Sequence, residues 1–84
     1  MKKRIAIIGI IVEKECGVEP LNTLLHEYGK YIVGRMGIPM HEQKINIISI
    51  VICAENNVIS ALSGKIGRID GVNAKVTYSN VELD

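Results

Sequence analysis

INIISIVICA, residues 45–54, is the stretch that decides the fold of this chain. It is dominated by β-branched side chains and contains neither proline nor glycine, which predicts a β-strand. Successive side chains of a strand point to opposite faces, and both faces of this one are mainly apolar. A strand without a polar face belongs in the middle of a sheet, and both of its sides need cover.

A second stretch, Lys3 to Val12, has the same character. Its apolar residues also divide between two faces: Ile5, Ile7 and Ile11 on one, and Ala6, Ile8, Ile10 and Val12 on the other. We therefore predict a sheet with two central strands.

Two helices and two further strands complete the pattern. Apolar residues recur at helical spacing from Val18 to Tyr28 and from Val58 to Ile66. A shorter, glycine-containing strand is predicted from Tyr31 to Ile38, followed by a turn from Pro39 to Lys44. Alternating residues from Val72 to Tyr78 predict a half-buried last strand.

The predicted order is β-α-β-β-α-β, the α+β arrangement called ferredoxin-like. Right-handed crossovers place the first and third strands at the centre of a four-stranded antiparallel sheet of order 4-1-3-2, with both helices on one face. We assign residues 1–79 to this single domain and residues 80–84 to a polar C-terminal tail.

The other face of the sheet lacks a predicted cover, because the chain has only 84 residues. Four or five exposed branched aliphatics, each forgoing roughly 1.5–3 kcal/mol of burial, form a patch that soluble monomers seldom tolerate. We therefore expect a homodimer or homotetramer that associates through the sheet face or its edges.

Composition excludes several classes of function. A formal net charge of +1 and only three aromatic residues, all tyrosine, argue against direct binding of DNA or RNA. The N-terminal apolar run lacks a signal-peptide cleavage site and is too short to span a bilayer. Two cysteines make no disulfide framework, so we expect a cytoplasmic protein without membrane association.

Metal ligation has few candidate residues. His26, His41 and Cys16 are the side chains that could ligate a divalent transition metal, and they form no local ligand motif. Cys16 precedes a helix N-terminus, which can lower a thiol pKa and would suit a redox role. The simpler interpretation is a solvated histidine at His26 and an ordinary turn cysteine at Cys16, and no cofactor is expected.

Candidate ligand-binding residues cluster in three segments. The first strand-to-helix turn, Arg35 and the segment from Gly64 to Gly71 offer charged groups and glycines near predicted loop positions. The last of these superficially resembles a phosphate loop, but it closes a helix instead of opening one. The candidate residues are Glu13, Cys16, Gly17, Arg35, Gly64, Lys65, Gly67 and Arg68.

No catalytic constellation is recognisable in the sequence. The acid and base candidates are scattered, and the nucleophile-elbow motif of serine hydrolases does not occur. We therefore assign no catalytic residue and expect a protein that is not an enzyme.

Three stretches together resemble one family: LLHEY at 24–28, RMGIP at 35–39 and ALSGKIGRIDGV at 61–72. They are similar to small bacterial proteins proposed to regulate the iron-only hydrogenase system. The resemblance covers nearly the whole chain, in the same order and without large gaps. It implies an ACT-like variant of the ferredoxin-like fold, akin to the ligand-binding domain of the nickel-responsive repressor, whose metal-binding pattern and DNA-binding domain this chain lacks.

These expectations lead to three functional hypotheses. The first is a non-enzymatic regulatory module, acting in the hydrogenase system, that binds a small-molecule effector between subunits. The second is a metal- or redox-responsive module that uses His41, His26 and Cys16. The third is an assembly factor that binds a partner protein during hydrogenase maturation.

Overall fold

A computed structural model of the chain describes residues 2–83. Two short 3-10 turns, Glu15–Gly17 and Gly29–Tyr31, flank the first helix. The strands and helices are β1 (Lys3–Val12), α1 (Val18–Glu27), β2 (Ile32–Met40), β3 (Ile45–Ala54), α2 (Asn56–Gly67) and β4 (Val72–Leu83). The β-α-β-β-α-β order predicted from the sequence is confirmed.

The four strands form one antiparallel sheet of order β2-β3-β1-β4. This is the predicted order 4-1-3-2 counted from the opposite edge, so the ferredoxin-like fold is confirmed. β1 and β3 occupy the centre, with Ile8 opposite Ile50 and Gly9 opposite Ser49. The two stretches that lack a polar face are thus the two strands with a neighbour on each side.

The hydrophobic core lies between one face of the sheet and the two helices. The even-numbered side chains of β1 and β3 point into it, and the helices supply the residues that cover them. Its fully buried large side chains are Ile8, Ile10, Val12, Leu21, Ile50, Ile52, Ile59, Leu62 and Ile66. The core is entirely aliphatic, as expected for a chain without phenylalanine or tryptophan.

The odd-numbered side chains of β1 and β3 lie on the second face, which we call the open face. Ile7 on β1 is 48% exposed, and Met36 and Ile38 on β2 are 61% and 51% exposed. No element formed by residues 2–83 packs over them. None of the helices in this described part of the chain has the length and apolar character needed to cross a membrane.

Two strand boundaries differ from those predicted. β2 continues through Pro39 and Met40, which is compatible with proline because β2 is an edge strand. β4 continues to Leu83 instead of ending at Tyr78, so residues 80–83 of the predicted polar tail belong to this strand, and Glu82 and Leu83 pair with β1. A register irregularity between Arg4 and Ala6 accommodates this extension. Asp84, the last residue of the predicted tail, and Met1 lie outside the described residues.

Candidate functional site

A groove runs between α1 and the hairpin that joins β2 to β3. Its larger part is a cavity of about 830 Å³ beside the β1–α1 turn. A smaller part of about 280 Å³ continues between α1 and β2. The two parts share Val12, Val18, Pro39 and Asn46 in their walls, so they form one continuous depression, which we call the α1–hairpin groove.

The groove has an apolar floor and a charged rim. Val12, Leu21 and Ile48 in its walls are buried core residues. The rim carries charge of both signs: Glu13 and Glu15 from the β1–α1 turn, Glu19 from the first turn of α1, and Lys14 and Lys44. A concave, mainly apolar site with a few charged groups is the usual form of a small-molecule pocket.

Arg35 stands on β2 on the helix-facing side, opposite Ile50. Its Nη2 donates a hydrogen bond to Oδ1 of Asn22 on α1, at 2.8 Å. This bond orients the guanidinium beside the smaller part of the groove. Arginine has five N–H donors, so further donors are left for an anionic group.

Lys44 on the groove rim has an unusual backbone conformation. Its φ is +57°, a left-handed value that residues other than glycine and asparagine adopt only at a cost in conformational energy. The residue closes the hairpin turn, with its N–H donating to the carbonyl oxygen of His41 at 3.3 Å. A strained backbone at a cavity rim is a reason to look for a function there.

The β1–α1 turn packs against the turn that precedes β4. The Glu13 N–H donates to the Gly71 carbonyl at 2.7 Å, and Lys14 Nζ lies 3.3 Å from Asp70 Oδ1. Gly17 is also held closely, since a Cβ there would lie 2.7 Å from Cγ2 of Val72. Gly17, which the sequence suggested as a ligand-binding residue, therefore has a packing role in this structure.

Gly64, Lys65, Gly67 and Arg68 lie at the C-terminal end of α2. Lys65 Nζ lies 5.2 Å from the centroid of the Tyr28 ring. A hydrogen bond with the Tyr28 side chain is the main cause that raises the pKa of Lys65. Lys65 and Cys16 border a shallow depression between the two helices. Of the residues suggested from the sequence, Glu13 and Arg35 border the groove, and so does His41, which was suggested as a metal ligand.

The suggested metal ligands are located on three different elements. Cys16 belongs to the 3-10 turn before α1, His26 to α1 and His41 to the β2–β3 turn. Both cysteines are free thiols. Residues 2–83 contain no group of three or more His, Cys, Asp or Glu side chains arranged to hold a metal. A site made from these three residues would need side chains of more than one copy.

Sequence reasoning missed Asn22, Lys44 and Asn46 as groove residues. Asn22 is distinguished only by its bond to Arg35, which depends on the packing of α1 over β2. One signal was available for Lys44: the residue that ends a short hairpin loop is often left-handed. Asn46 is the only strongly polar residue in the first half of β3, and an apolar strand around it gives no signal of a binding role.

Comparison with known families gives a match over residues 4–76, to the TM1266-like family, described as "Iron-only hydrogenase system regulator, putative". The chain belongs to this family. The resemblance noted in its three sequence stretches is thereby confirmed. No curated protein sequence matches the chain.

Solved structures similar to this chain include one family member. The uncharacterized protein TM1266 from Thermotoga maritima is 39% identical, with a TM-score of 0.87, over 90% of this chain and 96% of its own. A formyltetrahydrofolate deformylase from Pseudomonas putida KT2440 is 14% identical (TM-score 0.64), over 92% of this chain and 29% of its own. An unknown protein from Galdieria sulphuraria is 8% identical (TM-score 0.63), over 94% of this chain and 46% of its own. The latter two share the fold alone.

Proposed function

We propose that this member of the TM1266-like family is a cytoplasmic, non-enzymatic regulatory module of the iron-only hydrogenase system. In this proposal it forms oligomers and responds to a small effector bound in the α1–hairpin groove. Membership of the family supports the regulatory role. The groove supports the effector part, because an apolar floor, the charged rim of its larger part and the oriented Arg35 guanidinium of its smaller part lie along one depression.

The walls of the groove indicate the chemistry of the effector. Its larger part, about 830 Å³, falls within the range of roughly 300–1,000 Å³ typical of small-molecule sites. Arg35 offers a fork of donors suited to a carboxylate or phosphate, and the glutamates of the rim suit an ammonium group. We propose a small molecule that bears both charges and an apolar body, a description that amino acids meet.

Regulation in this scheme passes through the hairpin. An effector that contacts both α1 and β2 would favour one position of the hairpin over others. The shift between these positions is limited by the difference in the effector's affinity for them. The regulated target would be a partner protein of the hydrogenase system or a transcription complex. Direct contact with DNA is not part of the proposal, since the net charge is only +1.

A thermal-shift screen of amino acids, nucleotides and divalent metals tests the proposal. A ligand that binds only the folded state raises the melting temperature. At a ligand concentration of one hundred times its Kd, it adds about 2.7 kcal/mol to the free energy of unfolding. Arg35→Ala should abolish the shift given by the active compound. Arg68→Ala removes the same charge from the end of α2 and should preserve the melting-temperature shift. Loss with Arg68→Ala alone would place the effector at the end of α2 and contradict the groove.

Elemental analysis separates the proposal from the metal-responsive alternative. Protein purified without an affinity tag should contain much less than one metal ion per chain, and His41→Ala should leave that content unchanged. Stoichiometric metal that is lost in His41→Ala would contradict an effector-only module. Co-purification with a hydrogenase maturation enzyme would favour an assembly factor instead.

A further inference from the structure

The open face contains a furrow that crosses its two central strands. Gly9 on β1 lies directly opposite Ser49 on β3. One neighbouring row on the same face pairs Ile7 with Val51, and the other pairs Ile11 with Ile47. On the two central strands, two ridges of branched side chains therefore border a row that holds no side chain larger than that of serine. Met36 on β2 and Lys75 on β4 lie at the two ends of this row.

The chain itself does not require glycine at position 9. Among the described residues, no atom outside its immediate chain neighbours lies within 4 Å of a Cβ built there, and the backbone does not have a positive φ. Glycine inside a strand costs about 0.5–1 kcal/mol relative to alanine. In a strand it often marks a place where a ligand or another backbone approaches closely.

The area of the open face suits a protein interface. Met36 and Ile38 on β2 are 61% and 51% exposed, and Ile7 on β1 is 48% exposed. Together with the half-buried apolar residues between them, these side chains form one apolar patch, and each partner of a stable complex buries about 800 Å². Monomers rarely expose a continuous apolar patch larger than about 300–600 Å².

Charge is nearly absent from the centre of this face. The odd-numbered residues of β1 from Ile5 to Ile11 and of β3 from Ile45 to Cys53 include no charged side chain. Lys75 lies to one side, on β4 opposite Gly9. Two identical faces can therefore meet without bringing like charges together at the centre, and an interface core depleted of charge is typical.

We propose that the occupant of the open face is a second copy of this chain, packed sheet against sheet across the Gly9–Ser49 furrow. The inference rests on the oligomeric part of the proposed function and specifies its interface. Two identical sheets have the same spacing of ridges, so the ridges of one can fit the furrow of the other at the usual separation of about 10 Å. A two-fold arrangement of this kind closes on itself and leaves neither face exposed.

Sedimentation velocity of the Gly9→Val variant tests this interface. Valine favours strands, and its Cβ would have open space among the described residues, so circular dichroism should show that the secondary structure is retained. It fills the furrow, so we expect self-association to weaken at least tenfold relative to the wild type. Gly29→Val is the matched control, because a Cβ there also meets nothing among the described residues and lies outside the sheet.

The outcomes separate the interface from the rest of the proposal. Wild-type-like association of Gly9→Val, or weakening by Gly29→Val as well, would overturn the open-face interface and leave an oligomer formed another way. A wild-type chain that stays monomeric would overturn the oligomer itself. The effector groove is tested independently, by the melting temperature with added compounds.

Discussion

Arg35 Nη2 donates a hydrogen bond to Asn22 Oδ1 at 2.8 Å, and this bond joins the edge strand β2 to helix α1. It crosses the smaller part of the α1–hairpin groove. β2 pairs with only one neighbour, β3, so contacts with α1 help to set the position of its outer side. The bond therefore links the shape of the groove to the placement of the hairpin.

Replacing Asn22 with alanine should separate ligand binding from stability. Both side chains are exposed, so we expect the free energy of unfolding to fall by no more than about 1 kcal/mol. The Arg35 guanidinium would lose its orienting partner, and the melting-temperature shift given by an active compound should shrink several-fold. Asn57→Ala, an exposed asparagine on α2, is the control and should leave the shift unchanged. An unaltered shift in Asn22→Ala would show that orientation by this bond is unimportant.

Ile8 and Ile7 are adjacent in β1 but point to opposite faces. Ile8 is fully buried under the helices, so Ile8→Ala should lower the free energy of unfolding by about 2–5 kcal/mol. Chemical denaturation should show this loss at any protein concentration. Ile7 is 48% exposed in the single chain, so Ile7→Ala should cost much less in the isolated chain. In an oligomer covered at the open face, the cost of Ile7→Ala should grow with protein concentration. A cost that is the same at all concentrations would argue against burial of Ile7 by a second copy.

Gly71 is the one glycine whose backbone conformation demands glycine. Its φ is +77°, and a Cβ there would crowd the side chain of Lys14, approaching its Cγ to 2.7 Å. Gly71→Ala should therefore lower the free energy of unfolding by about 1–3 kcal/mol, measured by urea denaturation. Gly64→Ala is the matched control, since it lies within α2 with open space around it, and should be neutral or stabilising by up to about 1 kcal/mol. Equal effects of the two substitutions would contradict this assignment.

Lys44→Gly should stabilise the chain, because glycine adopts the left-handed conformation at φ +57° without steric cost. We expect a gain of about 1 kcal/mol, equivalent to roughly 4–8 °C in Tm for a domain of this size. Lys30→Gly, at a position without a positive φ, should have no such benefit. If Lys44 serves the groove, the stabilised variant should also respond less to an active compound. A loss of stability in Lys44→Gly would show that the observed conformation carries no strain.

Much of this fold was predictable from the sequence, because the strongest physical signal lies in the two strands without a polar face. INIISIVICA and the stretch from Lys3 to Val12 have to be central, and right-handed crossovers then order the other strands. The end of β4 was harder to predict. Ser79 and Asn80 are typical turn residues, but they lie in a register irregularity beyond which Glu82 pairs again with β1, and local propensity does not encode that pairing.

The candidate site was only partly predictable, because it depends on which elements pack together. Glu13 and Arg35 were suggested from their predicted positions, and both border the groove. The segment from Gly64 to Gly71 was suggested for its charged groups and glycines, but residues 64–67 form the end of α2, as its likeness to a helix end indicated, and they do not line the groove. Asn22 could not be recognised, because its contact with Arg35 exists only after α1 has packed over the sheet.

Sedimentation equilibrium of the wild-type chain over a range of micromolar concentrations tests the central claim most directly. The open face presents Ile7, Met36 and Ile38 to solvent in a single copy, and we attribute this exposure to an absent partner of the same kind. We predict a mass of two or four chains. A mass of one chain across the whole range, with the fold intact, would contradict the account.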